Sequence, residues 1–490
     1  MIKKIASVFY ANGMTSLLAL VFLGLMLASA PLVQAGGFAL SGVGSKAIGM
    51  GGAFRGLADD WSAAYWNPAG LAQLEKSEIN GMLVTLSPKI EYTPNFTYNG
   101  LDIGYRNGSV RYPNEKNIFI PDFSGFFKIN ALKDYTVGLA IFAPLGLSSE
   151  WDLMNPNNPD LSTDLAHEFP FHDHEAELAV IDFHPTIARA FSDGKFSVGA
   201  GLSIQRGSIT FRKTYLQPSG LPIPHENLYI DGDLEGTGWG FGANLGILYK
   251  LSDKMQFGIS GKTGTTLDLD GTATQELYTL SNLDLQNILL DNAYTALDSA
   301  QIYYLFALEN HVATPSASGK LKTPADIGLG LAYKPSSKLT LTGDITYTLW
   351  SSLDKIELDL SGIGLQGTQI DTTSVIYLNW DNTLRFSLGA EYWVKDPFAI
   401  RLGYYFDPTP IPDETFTVLI PDIGDKHSIN IGSALLFYGM ELSYNFEYLM
   451  FKDREVTTLT DANDDGAFDN YPGLYKMKLY ASHISLTYRF

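Results

Sequence analysis

Apolar and polar residues alternate with a period of two over most of this chain. Within 338–350, Leu339, Leu341, Ile345, Tyr347 and Leu349 alternate with Thr340, Thr342, Asp344, Thr346 and Thr348. Within 440–448, Met440, Leu442, Tyr444, Phe446 and Tyr448 alternate with Glu441, Ser443, Asn445 and Glu447. In 196–205, Phe196, Val198, Ala200, Leu202 and Ile204 oppose Ser197, Gly199, Gly201, Ser203 and Gln205. Each run predicts a β-strand with one apolar face and one polar or tiny face. A soluble sandwich gives the same alternation. Length and aromatic bias separate the two: several runs exceed ten residues and end in Tyr, Trp or Phe, as a membrane barrel with aromatic girdles requires.

Strands are expected near 77–91, 119–130, 134–146, 176–191, 195–211, 237–251, 254–269, 322–334, 338–353, 382–395, 398–406, 427–438, 439–451 and 475–490. They number fourteen, and an even number suits a bacterial single-chain barrel. Short turns such as Ser192-Asp193-Gly194 and Pro335-Ser336-Ser337 alternate with long connections near 92–118, 148–175, 212–236, 270–321, 354–381, 407–426 and 452–474. Short periplasmic turns and long outer loops explain that asymmetry. Closure of the sheet removes exposed edges, the condition for a sheet in lipid. In the last strand Ile484, Leu486, Tyr488 and Phe490 share a face.

One stretch breaks the period. Gly36–Leu74 holds Gly36, Gly37, Gly42, Gly44, Gly49, Gly51, Gly52, Gly56 and Gly70. Such density costs too much entropy in a regular helix or strand and suits a backbone that bends tightly against a close neighbour. It contains Ala58-Asp59-Asp60 and then Asn67-Pro68-Ala69-Gly70, where Pro68 holds Asn67 out of the helical region. Ahead of it, Lys3 and Lys4 precede the apolar run Leu17–Leu27, which is short for a membrane span and reads as a signal peptide. Cleavage after Val33-Gln34-Ala35 would give a mature Gly36. The expected domains are a signal peptide at 1–35, a plug at 36–76 and a barrel at 77–490.

Composition narrows the classes. The chain has 490 residues, 18% charged, 13% aromatic, 47 Gly and no Cys. Thiolate metal sites, disulfides and a lipoprotein anchor are excluded. A net charge of −20 argues against a nucleic-acid partner. No later segment has eighteen consecutive apolar residues, so no helical span is expected.

The glycine-rich N-terminus with "ADD" and then "NPAG", followed by a strand, resembles the hatch of the FadL/TodX family (OMPP1/FadL/TodX) of outer-membrane transporters for hydrophobic compounds. Ala143-Pro144-Leu145-Gly146-Leu147, Leu349-Trp350-Ser351-Ser352-Leu353, the Pro-rich Asp407–Glu414 with Pro421-Asp422, and the terminal Phe490 carry the likeness further. It implies an all-β, 14-stranded antiparallel transmembrane β-barrel with an N-terminal hatch inside. It also implies passive uptake of long-chain fatty acids or other hydrophobic compounds, outer-membrane lipid surroundings, and a C-terminal strand read by the barrel-assembly machinery. A monomer without cofactors or enzymatic activity is expected. A porin for polar solutes and a barrel enzyme are the alternatives.

Candidate site residues follow. In the hatch they are Asn67, Pro68, Ala69 and Gly70. Pro144 donates no ladder hydrogen bond, so a strand containing it either ends or breaks there. The resemblance makes Ala143, Pro144, Leu145 and Gly146 a lateral opening. The 277–308 stretch has apolar residues at helical spacings, including Leu280, Ile288, Leu289 and Leu297. It reads as a lid or as a ligand-capturing groove; the resemblance supports capture, together with Leu216, Leu221 and Ile223. Inward-facing Asp344, Arg385, Glu391, Arg401, Glu441, Glu447 and Arg489 are expected to pair internally, with Arg385 and Arg401 the alternative partners of a carboxylate head group. His167, His172, Asp173, His174 and Glu175 read as a solvated acidic loop more than as a metal site. Asp461, Asn463 and Asp465 follow half of a calcium loop, but position twelve is Pro472, which excludes an EF-hand and leaves a weak surface Ca²⁺ site open.

Overall fold

The alternation decides which face of the sheet meets lipid. In the computed structural model Leu341, Ile345 and Tyr347 stand exposed on the outer wall, while Thr340, Thr342 and Asp344 are buried. The same holds for Leu442, Tyr444 and Phe446 against Ser443, Asn445 and Glu447. A soluble protein would bury the apolar set. Here the polar set lines the interior, so the outer wall has the chemistry of a membrane-facing surface. The structure describes residues 37–98, 101–102, 105–114, 116–129, 134–154, 170–218, 227–278, 312–364, 369–420, 422–462 and 468–490.

Fourteen strands close into one antiparallel barrel. They are β1 Glu78–Pro94, β2 Ile118–Lys128, β3 Tyr135–Trp151, β4 His174–Phe191, β5 Phe196–Pro218 and β6 Asn227–Ser252. The next four come in two pieces each: β7 Met255–Lys262 and Thr266–Tyr278, β8 Ser316–Lys322 and Asp326–Ser336, β9 Leu339–Thr348 and Lys355–Ile363, β10 Gln369–Tyr377 and Thr383–Lys395. The series ends with β11 Phe398–Asp407, β12 Lys426–Phe437, β13 Met440–Phe451 and β14 Gly473–Arg489. Every strand pairs with its sequence neighbours, and β14 returns to β1 with Arg489 opposite Glu78 and Gly473 opposite Pro94. At the base, Phe490 lies 6.3 Å from Phe127, centroid to centroid.

The breaks in β7–β10 fall on one line around the barrel. Below it, outward residues are Ile327, Leu329, Leu331, Leu341, Ile345, Leu384 and Phe386. Above it they include Asp268, Lys320, Lys322, Lys355 and Glu357, paired loosely on the outer surface. The side-chain parity also switches there: Ser260 faces in on the lower piece of β7, Leu267 and Leu269 on the upper. A strand needs only about 9–11 residues to cross a membrane. The upper pieces are therefore sheet that stands above the lipid.

This corrects the expected loops. Parts of 92–118, 148–175, 212–236, 270–321 and 354–381 are strand. Leu216 lies on β5, whereas a capture loop was expected there. Above the membrane the outer face is wet, so the apolar stripe of these segments, such as Leu267 and Leu269, turns inward and charged residues take the outer face, the reverse of the lower strands. Asp173 and His174 are also buried, whereas a solvated loop was expected. Asp173 accepts the N–H groups of Leu153 (2.9 Å) and Met154 (2.7 Å), and its Oδ1 lies 2.7 Å from His174 Nδ1.

Candidate functional site: an N-terminal segment and two cavities in the lumen

Residues 37–74 are bound to the inner wall from several sides. Asp344 on β9 accepts the N–H groups of Phe54 (2.9 Å) and Arg55 (2.7 Å). Arg55 donates to Asp326 (2.6 Å), Thr346 (2.7 Å) and Ser260 (3.0 Å). Ser260 donates to the Trp66 carbonyl at 2.6 Å, and Asn244 to that of Ala64 at 2.6 Å. The glycines serve close approach. Gly51 has φ +66°, and a Cβ on it would sit 2.6 Å from both Tyr404 N and Tyr404 O on β11. A Cβ on its wall neighbour Gly403 would collide in turn with Gly51 N. Two backbones meet with no side chain between them.

Asn67, Pro68, Ala69 and Gly70 form one buried turn. Pro68 starts a short 3-10 helix, Pro68–Gln73, and Asn67 is extended before it. The Asn67 Oδ1 accepts from Ala69 N at 3.2 Å. Its Nδ2 donates to the carbonyls of Arg55 (2.9 Å) and Ile247 (3.1 Å), so one side chain ties the turn to its own segment and to β6. Nearer the start, burial alone would lower the Lys46 ammonium, but Asp59 and Glu391 outweigh it and hold it above its ordinary value. Burial raises the Asp60 carboxyl, against the opposing pull of Lys46 and Ser62.

The wall departs from regularity at β3. On the β4 side the register slips between Phe142 and Leu145, which makes Ala143-Pro144 a bulge. On the other side β2 pairs with β3 only as far as Phe123 opposite Ile141. Beyond that point β2 and β3 are no longer paired. The N-terminal segment supplies the next partners: Leu40 N donates to Pro144 O at 3.1 Å, and Gly146 N to Phe38 O at 2.9 Å, with Ala39 opposite Leu145. β3 therefore continues to Trp151 through a bulge, where an interruption was expected, and the backbone groups that β2 leaves are met from inside.

Phe38–Leu40 also separates two cavities. The lower, about 130 Å³, is polar: Arg55, Lys262, Arg385, Asp182, His184, Asp326 and Asp407 line it with Ala39, Leu40, Pro144 and Leu145. The upper, about 90 Å³, is apolar: its wall includes Phe38, Leu147, Leu178, Ile209, Phe211, Leu234, Leu269, Leu321, Ile356, Leu358 and Leu378. Phe38 packs 5.8 Å from Trp350 and 5.1 Å from Trp380, centroid to centroid. At about 10–15 Å³ per water the lower cavity has room for roughly ten waters and the upper for somewhat fewer.

The structure divides the two arginines. Arg401 is locked by Glu391 (2.7 Å), Glu441 (3.0 Å) and Ser443 (2.9 Å). Arg489 ties Glu441 (2.9 Å) to Glu78 (3.1 Å). Arg385 instead donates to the Ser41 carbonyl (3.3 Å), lies over the Tyr405 ring (3.7 Å) and borders the lower cavity. Leu221, Ile223, Leu280, Ile288, Leu289 and Leu297 lie outside the described residues, as do Asn463, Asp465 and His167. The sequence reading missed Phe38 and Lys262. An apolar Phe38-Ala39-Leu40 tripeptide amid glycines was the available signal for the first.

Asp182, His184 and Ser203 meet on the lower cavity, but their wiring is not that of a nucleophile. Ser203 Oγ donates to Asp182, not to the imidazole, and His184 Nε2 faces Asn244 Oδ1 at 3.1 Å.

The chain is similar to known proteins over nearly its full length. It is 26% identical over 412 residues to an outer membrane protein of Neisseria meningitidis, covering 80% of this chain and 81% of that one. It is 22% identical over 403 residues to a long-chain fatty acid transport protein of Escherichia coli, with 79% of each covered. The structure of a FadL homologue from Pseudomonas aeruginosa superposes with a TM-score of 0.71 at 22% identity, covering 93% of this chain and 100% of that one. The sequence profile described as outer membrane protein transport protein (OMPP1/FadL/TodX) matches residues 26–490, and the chain belongs to this family of outer-membrane transport proteins.

Proposed function

We propose that this barrel carries hydrophobic molecules inward across the outer membrane by passive transfer, as a transporter and not as an enzyme. Cargo settles in the apolar upper cavity, displaces the Phe38–Leu40 segment, and leaves sideways into lipid between β2 and β3 beside Pro144. The observation that carries this reading is the double role of Phe38–Leu40. Phe38 lines the apolar cavity, Ala39 and Leu40 line the one below it, and the same three residues complete the β3 ladder at Pro144 and Gly146. Cargo that pushes Phe38 aside must therefore also free the wall where β2 has already parted from β3. The small cavities support the same sequence, because a long apolar molecule fits only when this segment moves.

The test uses the absence of native cysteines. Ala39→Cys with Leu145→Cys puts two thiols on directly opposed residues. The oxidised pair should abolish uptake of a labelled long-chain alkane or fatty acid in cells, and reduction should restore it. Full uptake with the disulfide verified by mass spectrometry means that cargo leaves by another route. A porin would instead show steady conductance of small ions through the intact protein, which the buried N-terminal segment argues against.

A further inference from the structure

From the charge distribution around the upper cavity we infer that the cargo of this transporter is uncharged: a hydrocarbon, neutral aromatic or alcohol, not a fatty-acid anion. This rests on the transport reading above and specifies its substrate class.

No Lys, Arg or His borders the upper cavity among the described residues. Three acids contribute to its edge, Glu177, Glu235 and Asp270, but their neighbours Leu178, Leu234 and Leu269 are the inward ones, so strand alternation turns the carboxylates to the outside. Asp469, also at the edge, accepts the Ala462 N–H at 2.8 Å. A carboxylate seated in this cavity would lose its water and gain no counter-ion, which is the costly case for a buried charge.

The sequence of three outer connections has the same bias. The connections at the outer ends of β3–β4, β5–β6 and β7–β8 include residues 155–169, 219–226 and 279–311, and no Lys or Arg occurs in any of them. They carry Asp160, Asp164, Glu168, Glu226, Asp284, Asp291, Asp298 and Glu309. The chain as a whole carries a net charge of −20, which disfavours an anion at long range. A neutral molecule meets neither penalty. Cations do line the lower cavity, yet Arg55 and Lys262 both pair with Asp326, at 2.6 and 3.2 Å. Arg385 lies there too, on the far side of the Phe38, Trp350 and Trp380 rings.

The experiment compares decan-1-ol with decanoate, matched in chain length, on the full-length protein in nanodiscs. A pH of about 8 keeps the acid ionised. Binding is measured by calorimetry and corrected with empty nanodiscs. Decanol should bind at least about tenfold more tightly than decanoate. Leu234→Arg, which places a cation on the cavity wall, should narrow or reverse that ratio, provided that heat-modified gel migration shows a folded barrel. Arg385→Gln should leave it unchanged. Decanoate binding as tightly as decanol to the native protein overturns the inference, and so does a selective loss of decanoate affinity in Arg385→Gln. Binding of neither, with no change in cellular decanol uptake when the protein is removed, overturns the transport reading itself.

Discussion

Single side chains hold this interior together through buried polar contacts whose loss is felt in full. Asn67 satisfies one N–H and two carbonyls, all away from water. Asn67→Ala leaves those groups unpaired, at about 1–3 kcal/mol each before relaxation. The loss falls on the contact between the N-terminal segment and β6, not on the wall ladder. The variant should therefore assemble as a heat-stable barrel and show faster proteolysis within 37–74. Unchanged protease resistance would mean that the glycine contacts alone fix the segment. Asn67 was legible as a turn residue before Pro68. Its bond to Ile247, 180 positions away, was not, because no local pattern encodes a partner at that distance.

Among the elements, the N-terminal segment and β3 are the pair that matters. Deleting residues 36–60 removes Phe54 and Arg55, the partners of Asp344 and Asp326, and opens the lumen. Single-channel conductance should rise from near zero to a steady open level if the barrel assembles. A folded deletion with unchanged conductance would remove the plug. The 277–308 stretch makes a separate prediction from its apolar spacing. Replacing Ile288, Leu289 and Leu297 with Ser should weaken ligand capture at low concentration and leave barrel migration intact. Each buried apolar side chain contributes about 1.5–3 kcal/mol, so a triple change is easily seen. Normal uptake would leave these residues only a covering role.

For the whole molecule, closure is what lets a sheet of this size sit in lipid with every edge paired. The exception is the parting of β2 from β3, and it is tolerable because residues 38–40 take up backbone groups there. The mature protein is expected to start at Gly36. N-terminal sequencing of membrane-extracted material checks this, and a retained 1–35 segment would overturn the signal-peptide expectation drawn from Val33-Gln34-Ala35.

The sequence by itself determined the strand count, the face of each lower strand and the position of Pro144, because these follow from local alternation and from what one residue type cannot donate. It also marked the glycine-rich segment as no long regular element; the structure gives it only short helical turns, Ser45–Gly49, Ala63–Trp66 and Pro68–Gln73. Only the tertiary structure decided that the upper sheet continues above the membrane with its apolar face turned inward, since alternation alone does not say which face meets lipid and which meets the lumen. Only the fold brought Phe38 between Trp350 and Trp380, turned Arg385 toward a cavity while Arg401 was locked among carboxylates, and set residues 38–40 against β3. Except for the Arg401 pairs, those contacts join parts of the chain more than a hundred residues apart, and their partners are chosen by the curvature and register of the closed barrel, which no local stretch of sequence contains.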